Sequence, residues 1–142
     1  MDMEDPRIGH ETILLVEDDM VVRISLADSL QHLGYTVVVA KDGPAALAAL
    51  ESQPVDLVVT DIVMPGGISG LELAERVAAT RPGLGFIFMS GHADALGGAT
   101  VKLTKDDLLL SKPFSQGDIA QAIRRVIDKH VSSQSAPSAP PP

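Results

Sequence analysis

The amino-acid sequence predicts an α/β domain with a doubly wound, five-stranded parallel sheet and helices on both faces. Five short apolar runs recur along the chain, and helical patterns separate most of them. The runs are continuously apolar rather than alternating, which is typical of strands buried on both faces of a parallel sheet. The 142 residues, 45% of them hydrophobic, suffice for one domain with its own core. We expect the common strand order 2-1-3-4-5.

Strands and helices can be assigned in order along the chain. The five predicted strands are residues 12–16, 35–40, 55–60, 84–89 and 108–111. The first helix begins at an Asp19 cap and ends at Gly34, and the second spans residues 45–51. The third follows a Ser69 cap over residues 70–80, with an apolar stripe of Leu71, Ala74, Val77 and Ala78. The last begins after a Ser115 cap, and its predicted inward residues are Ile119, Ala122, Ile123, Val126 and Ile127. Residues 93–107 should form a short helix and a loop, because Gly97 and Gly98 interrupt any longer helix.

The two ends of the chain differ in composition from the domain between them. Residues 1–11 are polar and contain Pro6 and Gly9, so we expect a flexible arm there. Residues 132–142 are rich in Ser and Pro and should form a disordered tail. The predicted domain therefore spans residues 12–131.

Charge and composition exclude several classes of function. The formal net charge of −8 disfavours direct binding to nucleic acid or to an anionic membrane surface. The chain has no cysteine, hence no disulfide and no thiolate metal site. No apolar run approaches a membrane span, and the acidic N-terminus does not resemble a signal peptide. We expect a cytoplasmic protein.

Chemically reactive side chains occur where the predicted strands end. Glu17 and Asp18 follow the first strand, and Asp61 follows the third. Ser90 and Lys112 follow the fourth and fifth. In the order 2-1-3-4-5, ligands bind in the crevice at the carboxyl ends of strands 1 and 3, so these side chains should share one site.

The predicted site combines three carboxylates, an ammonium and a hydroxyl. Carboxylates brought this close repel one another, and a hard divalent cation such as Mg²⁺ relieves that repulsion. Lys112 and the cation would absorb the charge of transferred phosphoryl oxygens, while Ser90 offers one hydrogen bond. These groups indicate phosphoryl transfer to a carboxylate, with Asp61 as the attacking group.

The residues at the strand ends resemble the motifs of response-regulator receiver domains of two-component signalling. Four motifs occur in the order and at the strand ends that this family uses: residues 13–19 (ILLVEDD), 60–65 (TDIVMP), 89–93 (MSGHA) and 111–114 (SKPF). The resemblance implies a CheY-like, flavodoxin-like fold. It also implies a phosphoprotein in a phosphorelay, with a sensor histidine kinase or His-phosphotransfer protein as phosphodonor and a downstream protein as target.

The same resemblance implies roles for individual residues. Asp61 matches the phosphoacceptor, which forms an aspartyl phosphate, while Glu17 and Asp18 match the acidic pair that holds Mg²⁺. The Val63 backbone carbonyl is the expected further ligand. Ser90 matches the switch hydroxyl, and Lys112 matches the lysine of the family. Such a protein is not an enzyme beyond its own Mg²⁺-dependent phosphorylation and dephosphorylation.

Three positions depart from the usual pattern of the family. Glu17 stands where many members have Asp, so its contact with the cation can run through water. The loop over residues 65–70 is one residue longer than usual, as in some receivers of hybrid sensor kinases. Leu109 replaces the Tyr or Phe whose rotation many members couple to Ser90, which leaves the readout open. His92, two residues after Ser90, is a second candidate for readout or for control of water access.

Two other functions remain as alternatives from the sequence. One is a degenerate receiver that binds partners without being phosphorylated. The other is a Mg²⁺-dependent hydrolase with an aspartyl-phosphate intermediate, whose Asp-x-Asp pattern is absent from the end of strand 1. The complete set of Asp61, Ser90, Lys112 and the acidic pair favours the phosphorylatable receiver.

Overall fold

A computed structural model describes residues 11–64, 67–90, 108–112 and 114–135, with residues 129–135 described as backbone only. The strands are β1 (Thr12–Val16), β2 (Thr36–Ala40), β3 (Leu57–Asp61), β4 (Gly85–Ser90) and β5 (Leu108–Ser111). The helices in the described residues are α1 (Met20–His32), α2 (Gly43–Ser52), α3 (Gly70–Ala78) and α4 (Gln116–Ser135). The strands form one parallel sheet in the order β2-β1-β3-β4-β5, which confirms the predicted fold class and strand order.

The register of the sheet brings the carboxyl ends of its strands to one edge. Val16 of β1 lies opposite Thr60 of β3, the residue before Asp61. Ser90, the last residue of β4, lies opposite Ser111 of β5. The chain therefore delivers the residues after β1, β3, β4 and β5 to the same edge, as the topology requires.

Two apolar layers cover the faces of the sheet. Successive side chains of a strand point to opposite faces, so β1 contributes to both layers. On one face Ile13 and Leu15 pack with α1 and α4, and on the other Leu14 and Val16 pack with α2 and α3. The inward residues predicted for the last helix are all buried: Ile119, Ala122, Ile123, Val126 and Ile127.

Side-chain caps begin the helices where the sequence predicts them. The Asp19 carboxylate accepts the N–H groups of Val21 and Val22 at the start of α1. At α4 the Ser115 hydroxyl accepts the Asp118 N–H, while the Asp118 carboxylate accepts the Ser115 N–H, both at 3.0 Å. This reciprocal pair satisfies N–H groups that the helix itself leaves without acceptors.

Helix α3 buries a face that is shifted from the stripe that the sequence predicts. Within the predicted stripe Val77 is buried, Leu71 and Ala74 are half-buried against the core, and Ala78 is exposed. Leu73, outside the predicted stripe, is fully buried. The reason is a close contact at the start of the helix, where Gly70 packs against the end of β3. That contact turns Gly70, Leu73 and Val77 toward the core, a spacing that a helical face permits.

The ends of the domain also differ in detail from the sequence-based expectation. Glu11, assigned to the flexible arm, is anchored: its carboxylate binds Arg124 and its carbonyl accepts the Thr36 N–H. Helix α4 continues to Ser135, four residues into the predicted tail. The remaining residues of the arm and tail, and residues 93–107, lie outside the described residues, so the domain limits stay predictions.

Candidate functional site

Asp61 ends the central strand β3 as a buried carboxylate with only 6% of its surface exposed. The backbone around it is tightly packed. The Gly70 N–H donates to the Ile62 carbonyl at 2.7 Å, and a Cβ atom at residue 70 would clash with the Asp61 carbonyl oxygen. Only glycine permits this approach, so Gly70 sets where the strand end and its carboxylate lie.

Lys112 joins two of the predicted site carboxylates. Its Nζ atom lies 2.8 Å from Asp61 Oδ1 and 2.9 Å from Glu17 Oε1. The Lys112 N–H also donates to the Ser90 carbonyl at 2.7 Å, which holds the lysine beside the end of β4. The ammonium group of Lys112, which follows β5, thus links Glu17 after β1 to Asp61 at the end of β3.

Glu17 is held from several directions and is almost fully buried, with 2% of its surface exposed. Its N–H donates to the Ala40 carbonyl at 3.0 Å. Its second carboxylate oxygen, Oε2, accepts the Asp19 N–H at 3.1 Å. Both carboxylate oxygens of Glu17 therefore already have donors.

Glu17, Asp18 and Asp61 form the acidic cluster that the sequence predicts. One carboxylate oxygen from each residue lies within 4.8 Å of the other two. Glu17 and Asp61 are buried, whereas Asp18 is exposed at the rim. Three hard oxygen donors in this space fit a Mg²⁺ ion, which commonly keeps several water ligands beside one or two carboxylates.

The electrostatics of the cluster also favour an added cation. Burial raises the pKa of Asp61 from 3.8 to about 7, the neighbouring Glu17 also acts to raise it, and Lys112 opposes the rise. Burial would lower the pKa of Lys112, but hydrogen bonds to Asp61 and Glu17 outweigh burial and raise it. One lysine therefore does not fully compensate the negative charge gathered here.

The other predicted site residues are placed as follows. Ser90 is buried at the carboxyl end of β4, on the same edge as Asp61. Leu109 is half-buried in β5 and packs with the apolar layer that contains Phe88. Val63, two residues after Asp61, is exposed. His92 lies outside the described residues.

Sequence reasoning missed two residues beside the site, Gly70 and Arg23. Arg23 Nη1 donates to the Glu17 carbonyl at 2.8 Å and approaches the Asp18 carbonyl at 3.5 Å. The only signal for Gly70 in the sequence is its place directly after the Ser69 cap. The pattern of α1 offers no signal for Arg23, because the bond depends on how the loop between β1 and α1 bends.

Comparisons with known proteins agree with this geometry. Residues 13–124 match the family described as response regulator receiver domain. The chain is 36% identical over 115 residues to the response regulator receiver protein CpdR of Brucella abortus, which covers 81% of this chain and 95% of that protein. It is 37% identical over 123 residues to the sensor kinase CckA of the same organism, covering 85% of this chain but only 13% of the kinase.

Solved structures show the same fold. The response regulator protein TrrA of Thermotoga maritima, in complex with Mg²⁺ and BeF, superposes with a TM-score of 0.72 at 28% identity, covering 82% of this chain and 98% of that one. A response regulator receiver protein of Sinorhizobium medicae gives a TM-score of 0.74 at 25% identity, covering 86% and 98%. The chain belongs to the response regulator receiver family and is a two-component receiver domain. Among the described residues, no helix is long and apolar enough to cross a membrane.

Proposed function

We propose that Asp61 accepts a phosphoryl group from a phosphohistidine on a sensor histidine kinase or a His-phosphotransfer protein. The observation that carries this proposal is the contact of one ammonium group, Lys112 Nζ, with both Asp61 and Glu17 at the carboxyl edge of the sheet. That arrangement supplies an ionisable nucleophile and a fixed positive charge in one place.

The transfer itself requires few protein groups. An Asp61 carboxylate oxygen attacks phosphorus, the bond between phosphorus and the histidine nitrogen breaks, and the electron pair stays on the imidazole. Lys112 favours the ionised form of Asp61 and then pairs with a phosphoryl oxygen. The Ser90 hydroxyl is the second group that we assign to the phosphoryl oxygens.

We further propose that Asp18, Asp61 and the Val63 carbonyl hold Mg²⁺ directly. Bound Mg²⁺ would neutralise negative charge on the phosphoryl oxygens. Glu17 differs from Asp18 because both of its carboxylate oxygens already accept hydrogen bonds. This supports a role for Glu17 through a water ligand of the cation, as its longer side chain suggests. The structure of TrrA in complex with Mg²⁺ and BeF supports Mg²⁺ binding by this chain through similarity of fold.

Phosphorylation would act by shifting the population of two conformations and thereby changing contacts with a downstream protein. Leu109 has no aromatic ring to rotate, so we propose a readout that does not need one. If Leu109→Tyr alone sharply strengthened phosphorylation-dependent partner binding, this part of the proposal would be wrong. A role for His92, the cytoplasmic location and the absence of other enzymatic activity stay predictions.

Phosphorylation can be tested directly by intact-mass measurement. The protein is incubated with Mg²⁺ and acetyl phosphate or phosphoramidate, and then with a histidine kinase. We expect one phosphoryl adduct in the wild type and none in Asp61→Asn. The matched control is Asp56→Asn, because Asp56 lies just before the opposite end of the same strand and should not affect the adduct.

Each other outcome has a clear meaning. A phosphoryl adduct that persists in Asp61→Asn would contradict the assignment of Asp61 as the phosphorylation site. No adduct with any donor would favour the alternative of an unphosphorylated binding module. Continuous release of phosphate from phosphomonoesters, lost in Asp61→Asn, would instead support the hydrolase.

A further inference from the structure

Arg23 binds the backbone of the acidic pair from the first turns of α1. Its Nη1 atom donates to the Glu17 carbonyl at 2.8 Å and lies 3.5 Å from the Asp18 carbonyl. The side chain is half-buried. Neither the phosphoryl transfer nor the assigned ligands of the cation use this residue.

The arginine contacts neutral carbonyl groups although carboxylates lie close by. A guanidinium group normally makes its strongest hydrogen bonds with carboxylates. Here the carboxylate oxygens of Glu17 instead accept Lys112 and the Asp19 N–H. Arg23 is therefore placed to orient the loop rather than to neutralise the acidic side chains.

The loop from β1 to α1 would be less constrained without this contact. The Glu17 N–H is held by Ala40, and Asp19 is held by its capping bonds to α1. Arg23 binds the carbonyl between these two anchors, so it restricts the peptide unit that joins Glu17 to Asp18. The orientation of that unit decides where the Asp18 carboxylate points.

We propose that Arg23 is a positioning residue for the Mg²⁺ site, because it fixes the backbone that presents Glu17 and Asp18 toward Asp61. The inference rests on the proposed Mg²⁺-dependent phosphorylation of Asp61. It adds a residue that touches neither the cation nor the phosphoryl group.

Whether Mg²⁺ binding weakens or strengthens in Arg23→Gln distinguishes a positioning role of Arg23 from a purely electrostatic one. A nearby positive charge repels Mg²⁺, so a purely electrostatic role predicts that Arg23→Gln binds Mg²⁺ more tightly. A positioning role predicts weaker binding, because the carboxylates lose their common orientation. We expect roughly tenfold weaker Mg²⁺ binding, as is usual when a group that orients metal ligands is removed.

The experiment measures Mg²⁺ binding by isothermal titration calorimetry on the full chain. Arg23→Gln should bind roughly tenfold more weakly, and Arg23→Lys, which keeps a donor on a shorter side chain, should lose less. The matched control is Arg81→Gln, because Arg81 also donates to a backbone carbonyl, that of Leu50, but away from the site. It should bind Mg²⁺ as the wild type does.

Two further measurements distinguish positioning from general damage to the fold. With acetyl phosphate as donor, the Mg²⁺ concentration for half-maximal phosphorylation of Arg23→Gln should rise about as much as the dissociation constant, while the rate at saturating Mg²⁺ stays near that of the wild type. In metal-free protein, amide hydrogen exchange at Asp19 should accelerate, since its N–H bond to Glu17 depends on the loop.

Arg23→Gln binding Mg²⁺ as tightly as the wild type, or more tightly, would overturn the inference. An equal loss in Arg81→Gln would also overturn it, since the effect would then be general. If the wild type is phosphorylated on Asp61 and Arg23→Gln is unchanged, only this inference fails. If the wild type neither binds Mg²⁺ nor forms the adduct, the proposed function fails and this inference falls with it.

Discussion

The two edges of the sheet both gather charged side chains, but under different conditions. At the carboxyl edge, Lys112 faces the buried Asp61 and Glu17, with Asp18 at the rim. At the amino edge, Arg124 binds Glu11 and Asp128, each at 2.9 Å. Lys112 and Arg124 each contact two carboxylates, so the two ion-pair clusters differ in burial and crowding.

The two edges differ in whether burial or neighbouring groups decide the pKa of the key side chain. Burial and Glu17 raise the pKa of Asp61 to about 7, so the carboxyl edge disfavours its charged state. Burial opposes the charge of Arg124 as well, but neighbouring groups including Glu11 outweigh it and raise the pKa. Both clusters thus favour the charged form of their cation, but at the carboxyl edge burial also opposes the charged form of a carboxylate, Asp61, and this favours binding of a further cation. Perturbed groups of this kind are typical of functional sites.

Gly70→Ala should have the largest effect, and should act only at the carboxyl edge. The alanine Cβ atom would clash with the Asp61 carbonyl oxygen, a backbone atom that cannot rotate away. We expect a loss of about 3 kcal/mol or more in the free energy of unfolding, measured by urea denaturation. The control is Gly117→Ala, whose nearest neighbour, Ser115 Oγ, lies 3.6 Å away. A Gly70→Ala variant as stable as that control would show that the contact is not tight.

Lys112→Met should cause the second-largest loss of stability, because it leaves Asp61 and Glu17 facing each other without their shared cation. We expect the metal-free protein at pH 8 to lose roughly 2 to 3 kcal/mol of unfolding free energy, less than the ~3 to 5 kcal/mol of a fully buried pair because the Lys112 side chain is about one-quarter exposed. Added Mg²⁺ should restore part of the loss in thermal unfolding. Wild-type stability in this variant would place Lys112 among ordinary surface lysines.

Asp61→Asn should reveal the raised pKa through a pH-dependent change in stability. The pKa of Asp61 is about 7 in the folded protein and ordinarily 3.8. At a pH between these two values, Asp61 is protonated in the folded protein and ionised in the unfolded chain. Wild-type stability in EDTA should therefore fall as the pH rises from about 4 to 7. A tenfold change in proton affinity corresponds to about 1.4 kcal/mol, and the side chains around the charged carboxylate can relax when no Mg²⁺ is bound. We therefore expect the unfolding free energy of Asp61→Asn to exceed that of the wild type by roughly 1 to 2 kcal/mol at pH 8.

The same variant should show a smaller advantage at pH 5, because only part of the fall in wild-type stability between about pH 4 and 7 has occurred there. Urea denaturation at both pH values in EDTA provides the measurement. An equal difference at pH 5 and pH 8 would contradict the raised pKa. Mg²⁺ should stabilise the wild type at pH 8 but not Asp61→Asn.

Arg124→Gln at the amino edge should cause the smallest loss of stability. Its partner Asp128 is mostly exposed, and Glu11 and Arg124 are each about one-quarter exposed. Ion pairs of this kind contribute about 1 kcal/mol or less, so thermal unfolding should shift little. Mg²⁺ binding should not change. A loss as large as that of Lys112→Met would remove the contrast between the two edges.

Most of the site could be predicted because parallel topology converts strand ends into neighbours. The sequence places Glu17 and Asp18 after β1, Asp61 at the end of β3 and Lys112 after β5, and the sheet brings them together. The buried face of α3 was predicted only in part, because periodicity describes one helix at a time. Periodicity cannot report that Gly70 packs against the backbone at the end of β3, where the helix begins.

The sequence by itself determined the strand order, the helix caps and the residues that reach the carboxyl edge, since these follow from local patterns and the rules of parallel sheets. Only the tertiary structure decided how these residues interact. It shows that Lys112 joins Asp61 to Glu17, that Arg23 holds the acidic loop and that Glu11 is anchored by Arg124. These contacts join residues through loop bends and close packing in three dimensions, which no periodicity in the chain encodes.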